Sequence, residues 1–369
     1  MPYLQGVASI KNSARGKRSS GSEKIGREGE LELLQRIRGR AKRASGGGLH
    51  LGIGDDCALL RLRAGKELAI TTDLSIEGRH FRLDWHPPEV IGHRTLARGL
   101  SDLAAMGARP VAAFLSLGLP AVLVQRMKAR RAWIDRFYDG FLALAEAYQT
   151  PLAGGDLAES PVAVADIVLV GAVAHGKALL RSGARPGDSL YVTGSLGGAA
   201  AGLQRFAKFA ASLRRKTSSA RRGSVNQFGL KAMLKPDAAL EAHLHPQPRI
   251  AQGLALVRRG LATAALDISD GLSTDLRHLC EESGVAAELD AAALPIHPGA
   301  TLEQALHGGE DYELLFAARA RTRIPHALAG VPVTRIGRVV RRRAGTPIVR
   351  LITEKGSQPL EARGWEHFS

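Results

Sequence analysis

Five groups of aspartates stand where apolar runs end, each beside Gly, Ser or Thr: Asp55 and Asp56 in LGIGDDCALL, Asp73 in AITTD, Asp102 in LSDLAAMGA, Asp156 in LAGGD, and Asp267 with Asp270 in ALDISDGL. A carboxylate at a strand end or within an apolar helix face is costly to bury alone, so each needs a cation, a donor or a proton. Lys and Arg are scarce beside them in the sequence. Hard divalent ions answer that need, because Mg²⁺ takes oxygen ligands, usually one or two carboxylates per ion plus water and substrate phosphates. Several such aspartates converging would hold more than one Mg²⁺ against a nucleoside triphosphate. Taken singly, each has a plainer reading. Asp55 and Asp56 could make a turn or a cap, Asp73 an N-cap, and Asp102 a pair with Arg98 one turn earlier; Gly154-Gly155-Asp156 suits a tight turn and Ser269-Asp270-Gly271 a helix start. Asp267, at a strand end three residues before Asp270, fits these plainer roles least. The signal lies in the number of such groups.

Familiar nucleotide motifs are missing. Gly171–Ala178 (GAVAHGKA) follows the phosphate-loop pattern until its last position, where Ala178 replaces the hydroxyl that would meet Mg²⁺, and its first half reads as strand. No G-x-G-x-x-G, H-E-x-x-H or G-x-S-x-G occurs, which removes the simplest cases for a Rossmann enzyme, a zincin or an esterase.

The elements that must position the aspartates follow from the apolar pattern. Strands are expected at Leu68–Thr72, Val111–Leu117, Ile167–Ala174, Leu190–Thr193, Ala264–Ile268, Val285–Leu289 and Glu313–Ala317, each bounded by Gly, Pro or Asp. Helices lie between them. The clearest begins at Pro87-Pro88, runs through Val90, Ile91, Leu96, Leu100 and Leu103, and stops by Gly107. At 369 residues two domains are expected, with the boundary at 176–188, where HGKALLRSGARPGD supplies turn formers. The division is then 1–28 as a basic flexible extension, 29–175 as an N-terminal domain and 176–369 as a C-terminal domain.

Charge is the global oddity: 51 Lys and Arg against 35 Asp and Glu give +16. Three clusters hold most of the excess. Residues 1–24 carry five bases, 205–236 nine bases in what reads as a surface insertion, and 335–350 six bases around an expected strand pair. Together they take 20 of the 51 bases and one of the 35 acids, leaving 31 bases against 34 acids in the rest of the chain. The basicity is therefore peripheral. With aromatics at 5% and none alternating with the basic residues, the pattern of a single-strand stacking platform is absent, which argues against a nucleic-acid-binding protein. Two cysteines, Cys57 and Cys280, are too few for a disulfide framework and suit the reducing cytoplasm; no apolar stretch suggests a secretory signal or a membrane span.

Taken together, LGIGDDCALL, ITTDLSIEGRHF, LSDLAAMGARP, LAGGD, RSGARPGD, YVTGSLG, LDISDGLSTDL, HGGEDYELLF and GWEHF, in this order and spacing, resemble the thiamine-monophosphate kinases. These belong to the ATP-binding superfamily that also contains aminoimidazole ribonucleotide synthetase and selenophosphate synthetase. The resemblance runs from about Gly29 to Phe368. It implies an α+β, two-domain ATP-binding fold of the aminoimidazole ribonucleotide synthetase type: an N-terminal mixed sheet with helices, which binds ATP and Mg²⁺ and dimerises, plus a C-terminal α/β domain. It implies transfer of the γ-phosphoryl of ATP to thiamine monophosphate in a homodimer. Asp56, Thr71, Thr72, Asp73, Asp102, Asp156, Asp267 and Asp270 match its Mg²⁺ ligands, with Asp73, Asp102 and Asp270 closest to catalysis. Gly155, Asp156, Arg181 and Ser269 match nucleotide contacts; His80, Glu310 and Trp365 match positions that hold the thiamine phosphate. Gly99 and Arg94 stand where the family usually has Asn and Lys. Selenophosphate synthetase would need a reactive residue near the N-terminus, and no cysteine precedes Cys57; GGEDYEL and GWEHF favour the thiamine pattern over aminoimidazole ribonucleotide synthetase.

Overall fold

The computed structural model describes residues 30–41, 48–51, 53, 59–125, 131–217 and 237–365. Asp55, Asp56 and the expected N-terminal extension lie outside the described residues.

The N-terminal half contains α1 (Glu30–Ala41), β1 (Leu49–Leu51), β2 (Leu59–Leu60), β3 (Lys66–Ile76), α2 (Pro88–Ala105), β4 (Arg109–Leu119), α3 (Ala121–Val124), α4 (Trp133–Ala147), β5 (Leu152–Glu159) and β6 (Val164–Ala174). Strands β1 and β2 pair with each other, and the other four form a sheet in the order β3-β6-β4-β5, antiparallel except for β4 with β5. Its inner face carries α2, a helix whose first residue is Pro88 and whose Val90, Ile91, Leu96, Leu100 and Leu103 are all buried. Helix α4 crosses α2 at glycines. A Cβ on Gly92 would lie 2.0 Å from the Phe137 carbonyl oxygen, and one on Gly140 would lie 1.8 Å from that of Glu89. No side chain fits at that crossing.

The C-terminal half continues with β7 (Ser189–Thr193), α5 (Gly198–Thr217), α6 (Ala238–Leu244), α7 (Ile250–Arg259), β8 (Ala264–Asp267), α8 (Leu272–Ser283), β9 (Ala286–Asp290), α9 (Leu302–His307), β10 (Leu314–Ala318), β11 (Ala327–Leu328), β12 (Val331–Val340), β13 (Val349–Thr353) and β14 (Gly356–Pro359). Its sheet runs β14-β13-β9-β12-β7-β10-β8, with β11 on β12. This is the α+β architecture expected, and every apolar run read as a strand is one. Two expectations need correction. The basic segment 335–350 does contain two strands, β12 and β13, but they do not pair, because β9 lies between them, antiparallel to the first and parallel to the second. The basic stretch from 205, read as a surface insertion, begins inside a helix: α5 continues to Thr217, anchored by Phe206, which is 2% exposed. Residues 218–236 lie outside the described residues.

Helix α2 is the wall between the halves. It touches β3, β6 and α4 on one side and α7 and β8 on the other. One continuous apolar cluster therefore includes Leu96 and Leu100 together with Leu256, Leu314 and Phe316 from the C-terminal half.

Candidate active site

Arg94, Arg98 and Asp102 recur every fourth residue along α2, so they share one face of the helix. Asp102 and Arg98 both meet β3, and Arg94 meets Glu310. Asp102 accepts a hydrogen bond from the Thr71 hydroxyl of β3 at 2.5 Å. Arg98 grips Asp73, two residues along the same strand, through Nη2 to Oδ1 at 2.6 Å and Nε to Oδ2 at 2.8 Å. The cation available to Arg98's neighbours thus goes to Asp73, not to Asp102. Ser101 donates to Asp267 Oδ2 at 2.6 Å, which ties α2 to the end of β8.

These contacts leave two carboxyl groups, half-buried Asp102 and buried Asp267, facing each other across the domain boundary. Burial raises the pKa of both, and the charge of Asp267 raises that of Asp102 further. Arg181 lowers both, although its exposed side chain does not line the cavity described below. Asp73 is also raised by burial, against the pull of Arg98. Here the local excess of buried negative charge asks for a cation, and the donors around it are all carboxylate or hydroxyl oxygens.

Beyond β8 the chain turns through Ser269, Asp270 and Gly271 into α8. Asp275 accepts from the backbone N–H groups of Asp270 and Gly271 at 3.1 and 3.0 Å, so this buried carboxyl fixes the turn. Burial pushes its pKa up to about 8, with Asp267 and Asp270 adding to the rise. The segment HGGEDYEL folds back over the same turn. Glu310 N–H donates to the Ser269 carbonyl at 2.7 Å and Tyr312 N–H to that of Ile268 at 2.9 Å. Holding both bonds puts Glu310 and Tyr312 at φ +68° and +51°, in the left-handed region. Asp311 accepts from Gly197 N–H at 2.6 Å and Ala199 N–H at 3.2 Å, at the start of α5; its burial raises its pKa to about 7.

Glu310 reaches the opposite end of the α2 face. Its Oε1 accepts from Arg94 Nη2 at 2.6 Å. Burial alone would raise its pKa, but Arg94, with smaller help from Arg98, overrides that and holds it at about 2. Eight helical residues separate Arg94 from Asp102, so the anionic Glu310 and the aspartate cluster are about 12 Å apart along the helix. Between them lies a cavity of about 390 Å³, lined among others by Asp73, His80, Trp85, Arg98, Asp102, Asp267, Ser269, Asp270, Glu310 and Trp365. His80 Nδ1 accepts from Ile76 N–H at 3.0 Å. Trp365, half exposed, is held by its backbone N–H on the Asp270 carbonyl at 3.1 Å.

The structure therefore brings together Asp73, Asp102, Asp267, Ser269, Asp270, His80, Glu310 and Trp365, with Thr71 behind Asp102. It does not bring Thr72, Gly155 or Asp156 into that cavity. Asp156 shares a cross-strand row with Ser116, Asp166 and Leu74, one residue out of step with Asp73, and so projects from the other face of the sheet. Among the described residues no group of three or more His, Cys, Asp or Glu side chains is arranged to hold an ion. Sequence reasoning missed Ser101, Asp275 and the pairing of Arg98 with Asp73. The fourfold spacing of Arg94, Arg98 and Asp102 was the available signal for the last. A Cβ at Gly99 would lie 2.8 Å from Leu169 Cδ1, so an Asn at this position would require the Leu169 side chain to shift.

Two family models match, AIR synthase related protein, N-terminal domain, over residues 54–178, and AIR synthase related protein, C-terminal domain, over 185–350. The thiamine-monophosphate kinase of Escherichia coli strain K12 is 38% identical over 92% of this chain and 98% of its own length. The chain belongs to the thiamine-monophosphate kinase family. Membership in that kinase family makes it an enzyme with the two-domain AIR synthase fold. The crystal structure of the thiamine-monophosphate kinase from Stenotrophomonas maltophilia K279a superposes with a TM-score of 0.69 at 38% identity, covering 87% of this chain and 96% of that one. A structure of AaThiL complexed with AMPPCP and TMP gives a TM-score of 0.65 at 30% identity, covering 95% of this chain and 100% of that one.

Proposed function

We propose that this chain transfers the γ-phosphoryl group of ATP directly to the phosphate of thiamine monophosphate, forming thiamine diphosphate and ADP. The observation that carries the reading is a single cavity with buried aspartates at one end and an arginine-held glutamate at the other. It fits an acceptor with an anionic phosphate and a cationic ring.

Asp73, Asp102, Asp267 and Asp270 are the residues that would hold Mg²⁺, and their all-oxygen donor set suits it. Bound there, Mg²⁺ would cancel phosphate charge and keep the reacting oxygens in line. The acceptor phosphate oxygen forms the new bond to the γ-phosphorus as the bond to the β-bridging oxygen breaks, and that electron pair leaves with ADP. The oxygen is already anionic near neutral pH, so no side chain needs to act as a strong base. Thr71 and Ser101 orient the two carboxylates, Asp275 fixes the turn that presents Asp270, and Arg181 suits the nucleotide phosphates because its planar guanidinium bonds two oxygens at once. Glu310 faces the cationic thiazolium, and Trp365 offers a ring for stacking, worth about 0.5–2 kcal/mol.

We also propose a cytoplasmic homodimer. The outer face of β3 leaves Leu68, Ile70 and Leu74 at 50%, 62% and 46% exposure. Thr72 and Asp156 project from this same face, which accounts for their absence from the cavity if the site is completed across two subunits. No helix among the described residues is long and apolar enough to cross a membrane.

Incubation with ATP, Mg²⁺ and thiamine monophosphate, followed by separation of products, tests the reaction. Thiamine diphosphate is expected from wild type. Asp102→Ala is expected to lower turnover by about two to four orders of magnitude, as for loss of a group that positions phosphoryl-transfer charge. A wild-type enzyme that forms no thiamine diphosphate overturns the proposal.

A further inference from the structure

Beside Glu310, lining the same cavity, is a buried contact between two histidines that the reaction itself does not require. His86, on the turn leading into α2, is 4% exposed, and His243, on α6, is 1% exposed; their Nε2 atoms are 3.1 Å apart. Two ring nitrogens at that distance must share one proton, so one donates and the other accepts.

Each outer nitrogen has polar neighbours of its own. Arg82 N–H is aimed at His86 Nδ1 at 3.1 Å, and that nitrogen also lies 3.3 Å from the Arg82 carbonyl, which already accepts from Trp85 N–H at 3.1 Å and His86 N–H at 2.8 Å. His243 Nδ1 lies 3.4 Å from Arg94 Nη1, which can only donate, and 3.8 Å from Glu310 Oε2, too long for a hydrogen bond. The backbone carbonyl of His243 also accepts from Arg94 Nη1, while Nη2 of the same guanidinium holds Glu310 Oε1. Glu310 is thus approached by Arg94 on one oxygen and by the end of the histidine pair on the other.

We propose that His86 and His243 form a neutral hydrogen-bonded pair that positions Arg94 and Glu310 for the cationic ring of the substrate. Its neutrality matters to the charge count. Arg94 and Glu310 cancel, so an uncharged pair leaves this corner of the cavity without net charge, whereas an imidazolium at His243 would make it net positive and repel a cation. The groups facing the pair are Arg82, Asp84, Arg94 and Glu310. Burial, followed by Arg94, lowers both histidine pKa values, that of His86 to about 4.

The proposal rests on the kinase reading for its substrate, and two measurements separate the two. In the full-length wild-type protein without ligand, ¹⁵N NMR of labelled histidine is expected to show both rings neutral, each with one protonated nitrogen, and neither titrating between about pH 5.5 and 8. An imidazolium at either ring at neutral pH overturns the pair whether or not the enzyme makes thiamine diphosphate. In turnover, His86→Phe is expected to raise KM for thiamine monophosphate about fivefold, the range of one lost hydrogen bond, with kcat and KM for ATP unchanged. His86→Gln keeps a donor near the Nε2 position and is expected to restore most of the affinity. Equal losses toward both substrates, or a fall in thermal stability with KM unchanged, would mean that the pair only supports the fold.

Discussion

At the scale of single residues, the site works by giving carboxylates that look alike in the sequence different surroundings. Asp73 has a bidentate arginine, Asp102 a threonine hydroxyl, Asp267 a serine hydroxyl and Asp275 two backbone N–H groups. Glu310 stands apart because Arg94 keeps it ionised. Its folded pKa of about 2 lies below its ordinary value of 4.5, so it contributes stability that is present above about pH 4.5 and is lost as pH falls through 2. That shift corresponds to at most roughly 3 kcal/mol. Thermal unfolding of Glu310→Gln against wild type should show the variant less stable at pH 7 and the gap closing as pH approaches 2; a gap independent of pH would contradict the ion pair. The residues of the aspartate strings were legible because each string keeps its spacing. Their partners were not, since Thr71 and Asp102 are 31 residues apart and Ser101 and Asp267 are 166 apart.

The elements were read well where a local pattern sufficed. Pro88 and the apolar rhythm through Leu103 fix α2, and Gly107, at φ +63°, ends the segment where the sequence reading placed it. The pairing of β12 with β13 was misread because proximity in sequence suggests a hairpin, whereas the sheet inserts β9 between them. The close crossing of α2 and α4 was also hidden, because a glycine inside a helical pattern reads as a weakness until its neighbour is known. Gly140→Ala should cost about 1–3 kcal/mol, as overpacking does in a tight core, measured by denaturant unfolding. An unchanged midpoint would show that the helices separate without penalty. The strained loop at Glu310 and Tyr312 was foreseen only as a motif; its bonds to Ser269 and Ile268 explain why HGGEDYEL accompanies LDISDGL in one chain.

Across the whole molecule, the net charge of +16 says little about the reaction. The arginines of the 335–350 cluster that lie on or beside β12, Arg335, Arg338 and Arg341 to Arg343, are exposed. The apolar strip on β3 is the surface with a stronger claim on a partner, because strands seldom expose alternate leucine and isoleucine to water without reason. If the proposed dimer forms through this strip, Ile70→Asp should convert it to monomer in light scattering and lower turnover with it, while the fold, followed by circular dichroism, remains. A monomeric wild type would remove that expectation. Helix α2, finally, makes the two halves inseparable. It belongs by sequence to the first, yet its far side is the floor on which α7 and β8 of the second are laid. A cut in the connecting stretch at 176–188 would therefore not yield two working modules: each fragment would carry an open apolar wound, and the pieces should be soluble only when produced together.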